Sequence, residues 1–142
     1  MAVTTTIDST LGVVSTNDPA GTGTVSITGL QSPVIALTTA ATISAAQAGA
    51  FTFGTGGAPV TYVMPLASSC PGAVFTFRSV TAQANALTCS QEANGTKAFT
   101  NGTSNGSNLA VANVIGSSVS LLSDGKSFLV IGNSGSLAFS GT

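Results

Sequence analysis

At 142 residues the chain suits one domain and is long enough to bury a core. Hydrophobic residues make up 43% of it but charged residues only 5%, against roughly a quarter in ordinary soluble proteins, and the net charge is −1. Three Lys and Arg without a cluster cannot neutralise a phosphate backbone, so nucleic acid is excluded as a partner. The chain has no histidine, which removes the commonest general base and the commonest zinc ligand together.

The seven charges are Asp8, Asp18, Arg78, Glu92, Lys97, Asp124 and Lys126. A surface so poor in charge is either covered by partners or coated in hydroxyls and amides. Mean hydropathy is +0.49, yet no apolar run reaches the roughly 18 residues of a membrane span. Val34 to Phe53 comes nearest and is interrupted by Thr38, Thr39, Thr42, Ser44, Gln47 and Gly49. No membrane partner is expected. Met1 to Thr6 lacks the basic and apolar regions of a secretory signal: either the chain stays in the cytosol where it is made, which the starting Met favours, or a signal has been removed.

Residues 1–33 are rich in Thr, Ser and Gly. They hold two apolar runs, Leu11-Gly12-Val13-Val14 and Val25-Ser26-Ile27, around a loop at Asn17 to Gly23. Two readings stand: a first pair of strands, or an extended arm that orders on a neighbour. On the second reading Leu11, Val13, Val14, Val25 and Ile27 are the assembly contacts. Residues 34–142 then form the folded domain.

Pro33 to Leu37 and Ala41 to Ser44 read as strands, and Ala45 to Ala48 as a helical turn ended by Gly49. Phe51 and Phe53 fall on one face of a strand, as do Phe75 and Phe77, and both pairs are expected in one core layer. Gly54-Thr55-Gly56-Gly57 lacks the lysine of a phosphate loop and is a turn. Tyr62 to Met64 is a strand, and Pro71-Gly72 turns the chain into Val74 to Phe77.

Gln91 to Asn108 carries Asn94-Gly95, Asn101-Gly102 and Asn105-Gly106, with Phe99 as its large apolar residue. It reads as one long loop or two short hairpins anchored by Phe99. The three Asn-Gly pairs also match the glycosylation sequon, but they are turn signals first. Leu109 to Ile115 is a strand ended by Gly116. Ser118 to Ser123 and Lys126 to Val130 form a hairpin on Asp124-Gly125, and Ser136 to Phe139 is the last strand. About ten short strands with turns between them predict an all-β fold, an antiparallel β-sandwich or jelly-roll-like domain with an extended N-terminal arm.

No catalytic group, cofactor site or metal site emerges. Asp124 is explained by its turn, the other carboxylates are scattered, and Asn17-Asp18 alone falls short of a calcium site. The chain is not expected to be an enzyme. A hairpin pairing Val74 to Val80 with Ala86 to Ser90 would set Cys89 opposite Phe77 and leave Cys70 beyond its end. Two free, buried thiols are therefore expected.

Met64-Pro65-Leu66-Ala67, Pro71-Gly72-Ala73-Val74-Phe75-Thr76-Phe77, Ala86-Leu87-Thr88 and the Ser118 to Val130 hairpin together resemble a β module of tailed-bacteriophage virion proteins. The module occurs in capsid decoration (cement) proteins and in tail fibres. Phe128 stands where that module usually has Trp, and Ala86 where it has Ser. The resemblance covers about half the chain. It implies a homotrimer, made in the host cytoplasm, that sits on the virion's capsid surface. There it binds the major capsid protein across coat subunits and stabilises the shell. The alternative it implies is a tail fibre or receptor-binding module whose Asn-rich loop touches host glycans.

Overall fold

The computed structural model describes residues 34–54, 59–89 and 98–141, together with the backbone of strands β1 (Thr5–Asp8) and β2 (Gly12–Ser15). Contacts divide the chain into Met1–Gln31 and Ser32–Thr142. In the first unit β1 and β2 pair antiparallel, with Thr6 opposite Val14 and Ile7 opposite Val13. β2 overlaps the first apolar run of the sequence, and its partner β1 lies in the Thr-rich stretch before it. Leu11, Val25 and Ile27 lie outside the described residues, as does the loop at 17–23.

The second unit is a β-sandwich, as the strand spacing predicts. One sheet contains β3 (Ile35–Leu37), β4 (Gly49–Phe53), β6 (Val74–Ser79), β11 (Ser118–Ser123), β12 (Phe128–Ser134), β8 (Phe99–Thr100) and β9 (Asn105–Gly106), in that spatial order. The other contains β13 (Leu137–Ser140), β10 (Asn108–Val111), β7 (Asn85–Thr88) and β5 (Val60–Val63). Among the described residues the only helical pieces are 3₁₀ turns at Ala45–Gln47 and Ala67–Ser69. Pairing within the sheets is mixed rather than antiparallel throughout: β3 with β4, β4 with β6, β5 with β7 and β8 with β12 run parallel. The cause is the path of the chain. From β4 to β7 it changes sheet at every connection, so strands two apart in sequence lie side by side in the same direction.

That path leaves no place for a hairpin between Val74–Val80 and Ala86–Ser90. Both edges of β6 are occupied, by β4 and β11, while β7 lies in the other sheet between β5 and β10. The link at 80–84 is a corner across the sandwich. Gln83 is buried in it, and its carbonyl accepts Asn85 Nδ2–H at 3.0 Å. Two other expected strands are shorter than predicted. Ala41 to Ser44 contributes a single parallel bridge from Thr42 to Val63. The strand at Leu109 stops at Val111, because Val114 N–H turns back to the Ala112 carbonyl at 2.8 Å. Val114 and Ile115 are therefore exposed.

Alternation fills the core. Phe51, Phe53, Phe75 and Phe77 all point inward and are at most 2% exposed. Phe77 stacks on Phe51 at 4.9 Å and on Phe53 at 5.6 Å, so both expected ring pairs do share one layer. Phe53 also stacks on Tyr62 of the opposite sheet at 5.5 Å. Burial pushes the Tyr62 hydroxyl's pKa up, and that hydroxyl donates to the Leu37 carbonyl at 3.3 Å. At the other end Phe99 and Phe128 face each other on the parallel β8–β12 pair, with centroids 5.8 Å apart.

Two turns share one construction. In the loop from β8 to β9, Asn101 Oδ1 accepts the N–H groups of Thr103 and Ser104 at 3.0 and 2.7 Å. Gly102 N–H donates to Thr100 Oγ1 at 3.0 Å, and Asn101 N–H to the Ser104 carbonyl at 3.1 Å. From β11 to β12, Asp124 Oδ1 accepts Lys126 and Ser127 N–H, both at 2.7 Å. Gly125 N–H donates to Ser123 Oγ at 3.3 Å, and Asp124 N–H to the Ser127 carbonyl at 3.1 Å. The glycines have φ of +87° and +84°, where a side chain is disfavoured. The Asp124-Gly125 hairpin is thus present, with a four-residue loop, since Ser123 pairs directly with Phe128.

Candidate assembly surface

Among the described residues the chemistry-bearing side chains do not converge. Among the described residues no group of three His, Cys, Asp or Glu side chains is placed to hold a metal ion. Asp124 is engaged by its own turn: the Ser127 N–H, ahead of the Lys126 amide and ammonium, holds its carboxyl below the ordinary carboxylate value. Cys70 and Cys89 form no disulfide and are buried, as expected. They lie near one short segment: the Cys89 thiol donates to the Pro65 carbonyl at 3.1 Å and the Cys70 thiol to Leu66 at 3.5 Å. Ser79 Oγ and Asn85 Oδ1 are buried oxygens without a hydrogen-bond partner, in β6 and β7 at the same end of the sandwich.

The surfaces are more informative. Outward positions on the four-stranded sheet form two rows across its strands. One is Thr61, Ala86, Ala110 and Ala138; the other is Val63, Thr88, Asn108 and Ser140. Neither row holds a charge or a side chain longer than Val or Asn. The outer face of the seven-stranded sheet differs. It sets Val74, Leu122 and Leu129 side by side and Thr76 against Ser120, whose hydroxyls are 3.1 Å apart, and it also carries Arg78.

A face of alanines and threonines suits close approach by another protein. Docking on it desolvates no charge and immobilises no long side chain. Along the chain these residues are neutral between core and surface. Their signal was local: each of Ala86, Ala110 and Ala138 sits one step from inward-facing Leu87, Leu109 or Leu137. Of the expected assembly contacts, Val13 and Val14 lie in β2, and Leu11, Val25 and Ile27 lie outside the described residues.

The fold and these surfaces define a class: an all-β sandwich whose four-stranded sheet has an uncharged outer face among the described residues. No protein-family model matches the chain, and no curated protein or solved structure matches it either.

Proposed function

We propose that the protein is a bacteriophage capsid decoration protein, bound to the outside of the shell across coat subunits. The uncharged outer face of the four-stranded sheet is the observation that carries this reading. The motif resemblance in Tyr62 to Val130 supports it, and so does the scarcity of charge. The face meets the major capsid protein, and a homotrimer multiplies its weak contacts by avidity. The N-terminal segment, with Leu11, Val13, Val14, Val25 and Ile27, adds contacts to neighbouring subunits.

The test is binding of purified protein to undecorated shells, with Ala110→Arg as the probe. The arginine sits on an exposed position, so the melting temperature of the free protein stays put. Shell occupancy falls at least tenfold, about 1.4 kcal/mol, if this face is the contact. Unchanged occupancy rules the face out. Electron microscopy of the particle with density for this chain on the tail would replace the reading altogether. The tail-fibre alternative is favoured by one feature, the run of exposed polar residues from Asn101 to Asn105, which could present amides and hydroxyls to a glycan.

A further inference from the structure

The Asn-Gly pairs have no part in the shell binding proposed above, and one of them is built for chemistry. We propose that Asn101 is a self-modifying residue, converting through a cyclic imide to aspartate or isoaspartate. In this reaction Gly102 N attacks Asn101 Cγ. The N–Cγ bond forms, the Gly102 amide proton departs, and Nδ2 leaves as ammonia. Water then opens the five-membered imide at either carbonyl.

Four features favour this at Asn101. Two N–H donors converge on Oδ1, at 3.0 and 2.7 Å. That arrangement polarises Cγ and stabilises the negative oxygen that forms on attack, as an oxyanion hole does. The donors come from residues two and three ahead, so the side chain folds over the Gly102 peptide and brings its carbonyl towards the attacking nitrogen. The Gly102 N–H, whose proton must leave, already points at an acceptor, Thr100 Oγ1 at 3.0 Å. Finally, Asn101 is exposed and nothing lies within 4 Å of where a Gly102 side chain would sit, so water has access. Asn105-Gly106 is unlike it. Asn105 is held in β9 opposite Thr100, and Gly106 is buried against the Ser140 backbone.

The product has a place to go. The 124–127 turn has the same hydrogen bonds around an aspartate, so Asp at 101 keeps the loop. Isoaspartate, with its extra main-chain carbon, breaks it.

The experiment is peptide mapping by mass spectrometry of the intact protein after incubation in mildly alkaline buffer, beside a free peptide of residues 98–107. Asn101 is expected to gain one mass unit several-fold faster than Asn105, and at least as fast in the folded chain as in the peptide. Thr100→Val is expected to slow the folded chain several-fold and leave the peptide unchanged. Faster conversion of the peptide would mean that the turn protects Asn101, and the proposal falls. It falls equally if Asn105 leads. An unaltered rate in Thr100→Val removes Thr100 from the reaction.

Discussion

The turns at 101–104 and 124–127 have the same hydrogen bonds, the same left-handed glycine and opposite chemistry. At 124 the acceptor is a carboxylate, which gains from two N–H donors and has no leaving group. At 101 it is an amide, to which the same two donors lend reactivity. One backbone design therefore stabilises a charge in one place and activates a carbonyl in the other. The difference lies in a single atom, the Oδ2 of Asp124 against the Nδ2 of Asn101.

The largest way to break the pair is through the rings behind them. Phe128 directly follows the second turn and stacks on Phe99, one residue before Thr100. Phe128→Ala should cost about 3–5 kcal/mol in urea unfolding. Amide exchange should quicken at Thr103 and Ser104 as well as at Lys126 and Ser127. Change confined to the second pair would show that the turns are independent.

Next come the glycines. Gly102→Ala and Gly125→Ala each force a Cβ into the left-handed region and should cost about 1–2 kcal/mol. The two losses should be close, because a Cβ at 102 meets nothing within 4 Å and one at 125 meets only Pro71 Cβ at 3.4 Å. Denaturation midpoints measure both. A turn that tolerates alanine without loss does not hold the conformation described.

The smallest effect is the most specific. Asp124 has its carboxyl below the ordinary 3.8 in the folded chain. Its charge therefore adds stability that is fully present above that value and is lost as pH falls through 3.8 towards the lower folded value. Asp124→Asn removes this acid dependence, and Asn101→Asp introduces a matching one. Melting temperatures across the acid range should show the two variants diverging in opposite directions from the parent. Parallel curves would mean that the 124 carboxylate gains nothing from its turn.

How far the sequence is legible follows from how local each feature is. Asp124-Gly125 marks its turn because only a few residues accept positive φ, and the alternating phenylalanines mark inward faces because a strand has a period of two. The loop is four residues long where a tight turn is expected, because Lys126 and Ser127 belong to the turn and not to the strand. The connection at 80–84 is misleading for the opposite reason. Its length suits a hairpin, and nothing in Thr81 to Ala84 shows that β6 already has a neighbour on each side. That information sits in β4 and β11, far away in sequence. The alanine rows are hidden by the neutrality of alanine, which fits a helix, a core or a surface; only the pairing of Ala86, Ala110 and Ala138 across three strands makes them a face.

The switch of sheet at every link from β4 to β7 also bears on how the molecule assembles. From β4 to β7 no two consecutive strands share a sheet, so no local hairpin is available to seed that stretch. β4 gains β6, and β5 gains β7, only once the chain has gone across and come back. Both sheets must therefore rise together, and closing those non-local loops comes before any reward from pairing. Folding of the sandwich should be slow for its size and all-or-none, with β11–β12, the longest hairpin, as the natural place for it to begin.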